Sequence, residues 1–107
     1  MYIMQTLAIL EDAKKDAILE AVSDRYSRII LETTMDKPKT ALEISVEHQL
    51  PISTVYRRLQ ALHDNKLLSI SGSISDEGKK FFMYKSKIRH IMTSFSNGAV
   101  SVSVITN

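Results

Sequence analysis

The sequence lacks cysteine and tryptophan entirely and has 3 glycines and 2 prolines among 107 residues. Without cysteine there can be no disulfide, thiol nucleophile, iron–sulfur cluster or cysteine-based zinc site. Such scarcity of glycine and proline excludes collagen-like and low-complexity chains. No apolar run approaches the roughly 18–20 residues of a membrane span. The apolar stretch Tyr2–Leu10 has no basic residue before it, and Glu11, Asp12 and Asp16 follow, so it does not read as a secretory signal. The missing cysteine fits a reducing compartment, and a cytoplasmic location is expected.

What is present is ordinary for a globular chain: 44% hydrophobic and 24% charged residues. That length and balance predict a single domain spanning residues 1–107. The net charge of +2 hides an asymmetry. Residues 1–36 hold four basic and seven acidic residues, whereas residues 37–107 hold ten basic and five acidic. Between Lys79 and Arg89 lie five basic residues and no carboxylate. Such a split implies one face that meets a polyanion and another that does not.

Leu7, Leu10, Ala13, Ala17, Ile18, Ala21 and Val22 recur at helical spacing and predict an amphipathic helix over about residues 5–22. Ser23-Asp24 offers an N-cap for a second helix reaching about Met35, stopped by Asp36-Lys37-Pro38-Lys39. Thr40-Ala41-Leu42-Glu43 has the form of a capping box. It starts a short helix, about Ala41–His48, with Ala41, Ile44 and Ser45 inward. Gln49-Leu50 forms a turn, Pro51 suits the first helical position, and a further helix runs from about Ile52 to Asn65. Val55, Leu59 and Leu62 give that helix one inward stripe. Two helices joined by about three residues make a helix-turn-helix over 40–65 within a helical core of 23–66.

Past Asn65-Lys66 the period drops to two. Leu68–Gly72 and Lys79–Tyr84 read as strands of a hairpin within 67–84, its polar tip running from Ser73 to Gly78. A second hairpin occupies 88–106, because Asn97-Gly98 favours a type I′ turn. The two-residue turn sets the pairing: Ser96 with Ala99, Phe95 with Val100, Thr93 with Val102, Ile91 with Val104. The expected fold class is therefore α+β, mainly α.

Several segments together resemble the winged helix-turn-helix of ArsR-like transcriptional regulators. Leu19–Leu31 is similar to the family's first core helix and Lys39–Ile44 to its second. Leu50–Leu62 is similar to its recognition helix, and Asp76-Glu77-Gly78-Lys79-Lys80 to its wing. The likeness covers most of residues 17–90 and is nearest in flavour to small archaeal members with a C-terminal β-hairpin. It implies a sequence-specific regulator of double-stranded DNA, with helix 52–65 in the major groove and the wing on flanking backbone.

The residue chemistry agrees. Opposite the Val55/Leu59/Leu62 stripe lie Ser53, Thr54, Tyr56, Arg57 and Gln60, the expected base-contacting set. Arg57 could fork onto guanine, Gln60 could read adenine, Tyr56 could meet sugar or a thymine methyl, and the hydroxyls of Ser53 and Thr54 suit phosphate or base edges. Lys39, Thr40, Arg58, Lys79 and Lys80 are the expected backbone contacts, with Arg58 pointing sideways toward either a phosphate or a carboxylate. Two positions depart from the family: Gln49 stands where glycine is common, and His48 where an apolar residue often packs, so His48 is expected partly buried.

No Gly-rich phosphate loop, nucleophile elbow or His-Glu-x-x-His string occurs, and His63 and His90 lack metal-ligand spacing. A non-catalytic protein with no cofactor and no metal is expected. Met1, Met4, Met35, Met83 and Met92 read as core or interface filler. Because an isolated hairpin is marginal in water, its apolar face must pack on the helices or on a second copy. A homodimer through the N-terminal helix, the C-terminal hairpin or both is expected. Two other readings share these features: a winged-helix protein–protein module, using Leu42 and Val46, and a nonspecific architectural DNA binder.

Overall fold

The computed structural model describes residues 5–107. In chain order they form β1 (Thr6–Ile9), α1 (Asp12–Ser23), α2 (Arg25–Thr33), α3 (Ala41–His48), α4 (Ile52–Asp64), β2 (Leu68–Ile74), β3 (Lys80–Ser86), β4 (Ile88–Ser96) and β5 (Ala99–Thr106). The class is α+β. Among the described residues there are two antiparallel sheets, one ordered β1-β5-β4 and the other β2-β3.

The starts of α2 and α3 each have a side-chain cap. The Asp24 carboxylate accepts from the Ser27 amide at 2.8 Å and begins α2. At α3 the capping box forms as the sequence predicts, Glu43 N–H donating to Thr40 Oγ1 at 3.1 Å and Thr40 N–H to Glu43 Oε1 at 3.0 Å. Gln49 ends α3 in the left-handed conformation, φ 54°, where glycine would be the easy choice. The turn is tied twice: Leu50 N–H donates to the Ser45 carbonyl at 3.0 Å, and Ser45 Oγ donates to the Leu50 carbonyl at 2.6 Å. Pro51 sits one position earlier than expected, at the N-cap of α4 rather than inside its first turn.

One core serves all four helices and both sheets. Ile18 of α1, Ile30 of α2, Ile44 of α3 and Val55, Leu59 and Leu62 of α4 are each at most 2% exposed, as are Leu67 and Leu68. The stripe read from the sequence is therefore the side by which α4 is anchored. His48, by contrast, is exposed beside Glu47, because its place at the end of α3 faces away from that core.

The N-terminal reading needs correction. The helix expected over 5–22 begins only at Asp12, and Thr6–Ile9 is a strand paired with β5, Leu7 opposite Val104 and Ile9 opposite Val102. Leucine and alanine favour a helix locally, but the free edge of β5 offers a backbone ladder, and this long-range pairing overrides local propensity. Leu7 and Leu10 consequently leave the helical face, and Leu10 is 84% exposed. Met1 and Met4, expected as core or interface filler, lie outside the described residues.

Both hairpins keep the expected alternation. The tail register is as derived, from Ser96 opposite Ala99 to Ile91 opposite Val104, with a bulge between Ile88 and His90 that the sequence reading did not anticipate. The first hairpin is longer than expected. β2 and β3 pair from Leu68 opposite Ser86 to Ile74 opposite Lys80, and the turn shrinks to Ser75–Lys79. Gly78, φ 82°, closes that turn. Lys39 joins the sheet as an isolated bridge, its backbone exchanging hydrogen bonds with Tyr84 at 3.0 and 2.8 Å.

Candidate nucleic-acid interface

The outward side of α4 carries Ser53, Tyr56, Arg57 and Gln60, all exposed, with Thr54 half-buried at its margin. Five of the expected base-contacting residues thus lie on one helix whose opposite side is fixed in the core. The amides of the first turn point out of the N-terminus, and Pro51 supplies no side-chain cap. This leaves donors open to an anion beside Ser53 and Thr54.

Adjacent arginines have different fates. Among the described residues, the Arg57 guanidinium takes part in no ion pair, so its donor fork is free. Arg58 is engaged: Nε lies 2.8 Å and Nη2 3.2 Å from the two Asp24 oxygens, and the guanidinium stands 5.6 Å from the Tyr26 ring centre. The hydrogen bond from Arg58 holds the Asp24 carboxyl at about 2, and Asp24 in turn raises the Arg58 pKa. Of the two partners the sequence left open for Arg58, the structure gives it the carboxylate. That pairing occupies Nε and Nη2, and among the described residues Nη1 donates to no partner.

Lys39 is engaged as well. Its ammonium lies 2.6 Å from Glu47 Oε2 and donates to Thr33 Oγ1 at 2.7 Å, while its backbone is tied to Tyr84. That bond holds the Glu47 pKa below the ordinary carboxylate value. Lys39 therefore stitches α2, α3 and β3 together. Thr40 uses its hydroxyl oxygen as the α3 cap, which leaves the hydroxyl hydrogen to donate. Gln60 donates to Asp64 at 2.8 Å, an exposed contact one turn along the helix. Releasing it costs only about 0.2–0.5 kcal/mol.

The hairpin β2–β3 carries Lys79 at the end of its turn and Lys80 at the start of β3, both exposed. Lys80 Nζ rests 5.3 Å from the centre of the Phe82 ring. A shallow groove of about 330 Å³ runs between this hairpin, the start of α3 and α4, lined by Thr40, Leu42, Tyr56, Lys80, Phe82 and Tyr84 among others. Phe82, 48% exposed, is the contributor that sequence reasoning missed. Strand alternation alone places Phe82 on the same pleat as Lys80 and Tyr84. Burial raises the Tyr84 pKa above its ordinary value.

Among the described residues no group of three or more His, Asp or Glu side chains is placed to hold a metal. None of their helices is long and apolar enough to cross a membrane. No family model and no curated protein matches the chain at a significant level. A solved structure described as a possible transcriptional regulator from Methanosarcina mazei Go1 is similar over 75% of this chain and 73% of its own, at 23% identity and a TM-score of 0.55. The α+β chain described here therefore shares the fold of a possible transcriptional regulator.

Proposed function

We propose that this protein is a non-catalytic, sequence-specific regulator that binds double-stranded DNA as a winged helix-turn-helix of ArsR-like type. α4 lies in the major groove and the β2–β3 wing lies on flanking backbone. The observation that carries this reading is the two-sidedness of α4. Val55, Leu59 and Leu62 are at most 2% exposed, while Arg57 beside them is exposed. A helix held rigidly from behind presents its outer side chains at fixed spacing, which base reading requires. The basic excess after residue 36 supplies the phosphate attraction. The protein acts in the cytoplasm as a homodimer that brings two copies of α4 to a palindromic site.

Selection of bound duplexes from random DNA tests this directly. A recovered consensus whose affinity drops in Arg57→Ala, with nonspecific binding little changed, is the expected result. Equal affinity for all duplexes would instead mean an architectural binder. Absence of binding would favour a protein–protein module, a reading supported by Leu42 and Val46, 64% and 68% exposed one turn apart on α3.

A further inference from the structure

From His90 to Asn107 the chain has no Asp, Glu, Lys or Arg, although 24% of the whole sequence is charged. This segment forms β4 and β5, and β4 is an edge of its sheet, with no strand beyond it among the described residues. Exposed edges ordinarily carry lysine, proline, a bulge or a cover that prevents pairing with another chain.

The other edges of this sheet have such protection. β1 is four residues long and runs directly into Glu11 and Asp12. Where β5 extends past β1, the Lys15 ammonium donates to the Val100 carbonyl at 3.3 Å and occupies the bare ladder. The β4 bulge lies at its base, between Ile88 and His90, leaving Ile91–Ser96 regular and uncovered. On that segment Met92 is 42% and Phe95 73% exposed.

Backbone direction fixes which groups are free. Val100 turns its carbonyl away from β4, toward Lys15. Its opposite number Phe95 must likewise turn its amide and carbonyl away from β5, and so must Thr93 and Ile91 at the same pleat positions.

We propose that this edge pairs with the same edge of a second copy, antiparallel about a two-fold axis at Thr93. Thr93 then faces its own counterpart, Ile91 faces the second copy's Phe95, and Met92 faces Ser94. Free donors meet free acceptors. Phe95, stranded on one copy, covers a β-branched side chain of the other, a favourable cross-strand pair. No like charges meet, which is the condition that a strand pairing with itself must satisfy. The two three-stranded sheets become one continuous sheet. The wing strand β2 is a poorer candidate, because Gly72 interrupts it and Lys79, Lys80 and Lys85 lie on or beside its partner strand.

The inference rests on the homodimer part of the proposed function but not on DNA binding. The test is light scattering and sedimentation of the full chain at tens of micromolar, without DNA. Wild type should have a mass of about 24 kDa, twice that of the 12.1 kDa chain. Thr93→Lys, which sets two ammonium groups face to face, should weaken association at least about tenfold with the circular dichroism spectrum retained. Ser71→Lys, on β2, should leave the dimer intact. Thr93→Cys, as the sole cysteine, should give a covalent dimer on oxidation where Ser71→Cys does not. A monomeric wild type would overturn both the edge and the homodimer. A Thr93→Lys dimer as tight as wild type, or equal disruption by Ser71→Lys, would overturn the edge alone. DNA affinity of monomeric Thr93→Lys for a half-site reads out α4 separately.

Discussion

The molecule has two β-hairpins of similar length and opposite surface chemistry. The β2–β3 hairpin turns through five residues, Ser75–Lys79, which include two carboxylates and a lysine, and Lys80 and Lys85 lie on β3. The β4–β5 hairpin turns through Asn97-Gly98 and has no formally charged side chain beyond Arg89. Both are made of alternating side chains and backbone ladders, so secondary structure does not distinguish them. Charge does: a cationic hairpin is soluble alone and attracts polyanions, while a neutral one with exposed Phe95 is suited to dry contact with protein. Hairpin shape is reused, and the residues on it choose the partner.

That contrast can be broken most strongly at the β2–β3 hairpin. Reversing both lysines, Lys79→Glu with Lys80→Glu, should lower affinity for a selected duplex about a hundredfold at low salt and flatten the salt dependence. Fluorescence anisotropy over a salt series measures both, and an unchanged slope would remove this hairpin from the proposed interface. Arg57→Ala should cost about 1–3 kcal/mol on the selected duplex and little on a scrambled one, measured by competition.

The clamp behind α4 has a smaller, pH-dependent effect. Because Asp24 is held at about 2 against an ordinary 3.8, its contribution to stability is complete above about pH 4 and is lost as pH falls toward 2. With its carboxylate partly solvated, Asp24→Asn should remove about 1–2 kcal/mol at neutral pH. It should also flatten the acid limb of a denaturant-midpoint profile. The smallest effect is expected at the helix turn, where Gln49→Gly should stabilise by about 0.5–1 kcal/mol in urea unfolding, since Gln49 has φ 54°.

What was readable in the sequence follows the range of the interactions involved. The α3 cap, the α4 stripe and the Asn97-Gly98 register depend on residues close in the chain, and each formed as its local chemistry dictates. The strand at Thr6–Ile9 depends on an edge about a hundred residues away, so periodicity around Leu7 and Leu10 pointed to a helix instead. The candidate interface divides similarly. The outward set on α4 needs only helical spacing, whereas the engagement of Arg58 by Asp24 and of Lys39 by Glu47 depends on tertiary neighbours. Nothing in a lysine's type tells whether it projects or pairs. Phe82 was missed because its exposure depends on which side of the β2–β3 hairpin meets the helices.

Asp24 caps α2 through Ser27 and grips α4 through Arg58 with the same carboxylate. Tilting α4 away would strip that carboxylate of its cation and loosen the neighbouring coil's first turn as well. The two contacts share one acceptor, so moving α4 disturbs both. Control of such a molecule is cheapest by blocking or separating its parts, and a rod tied in this way leaves little room for control by re-aiming it.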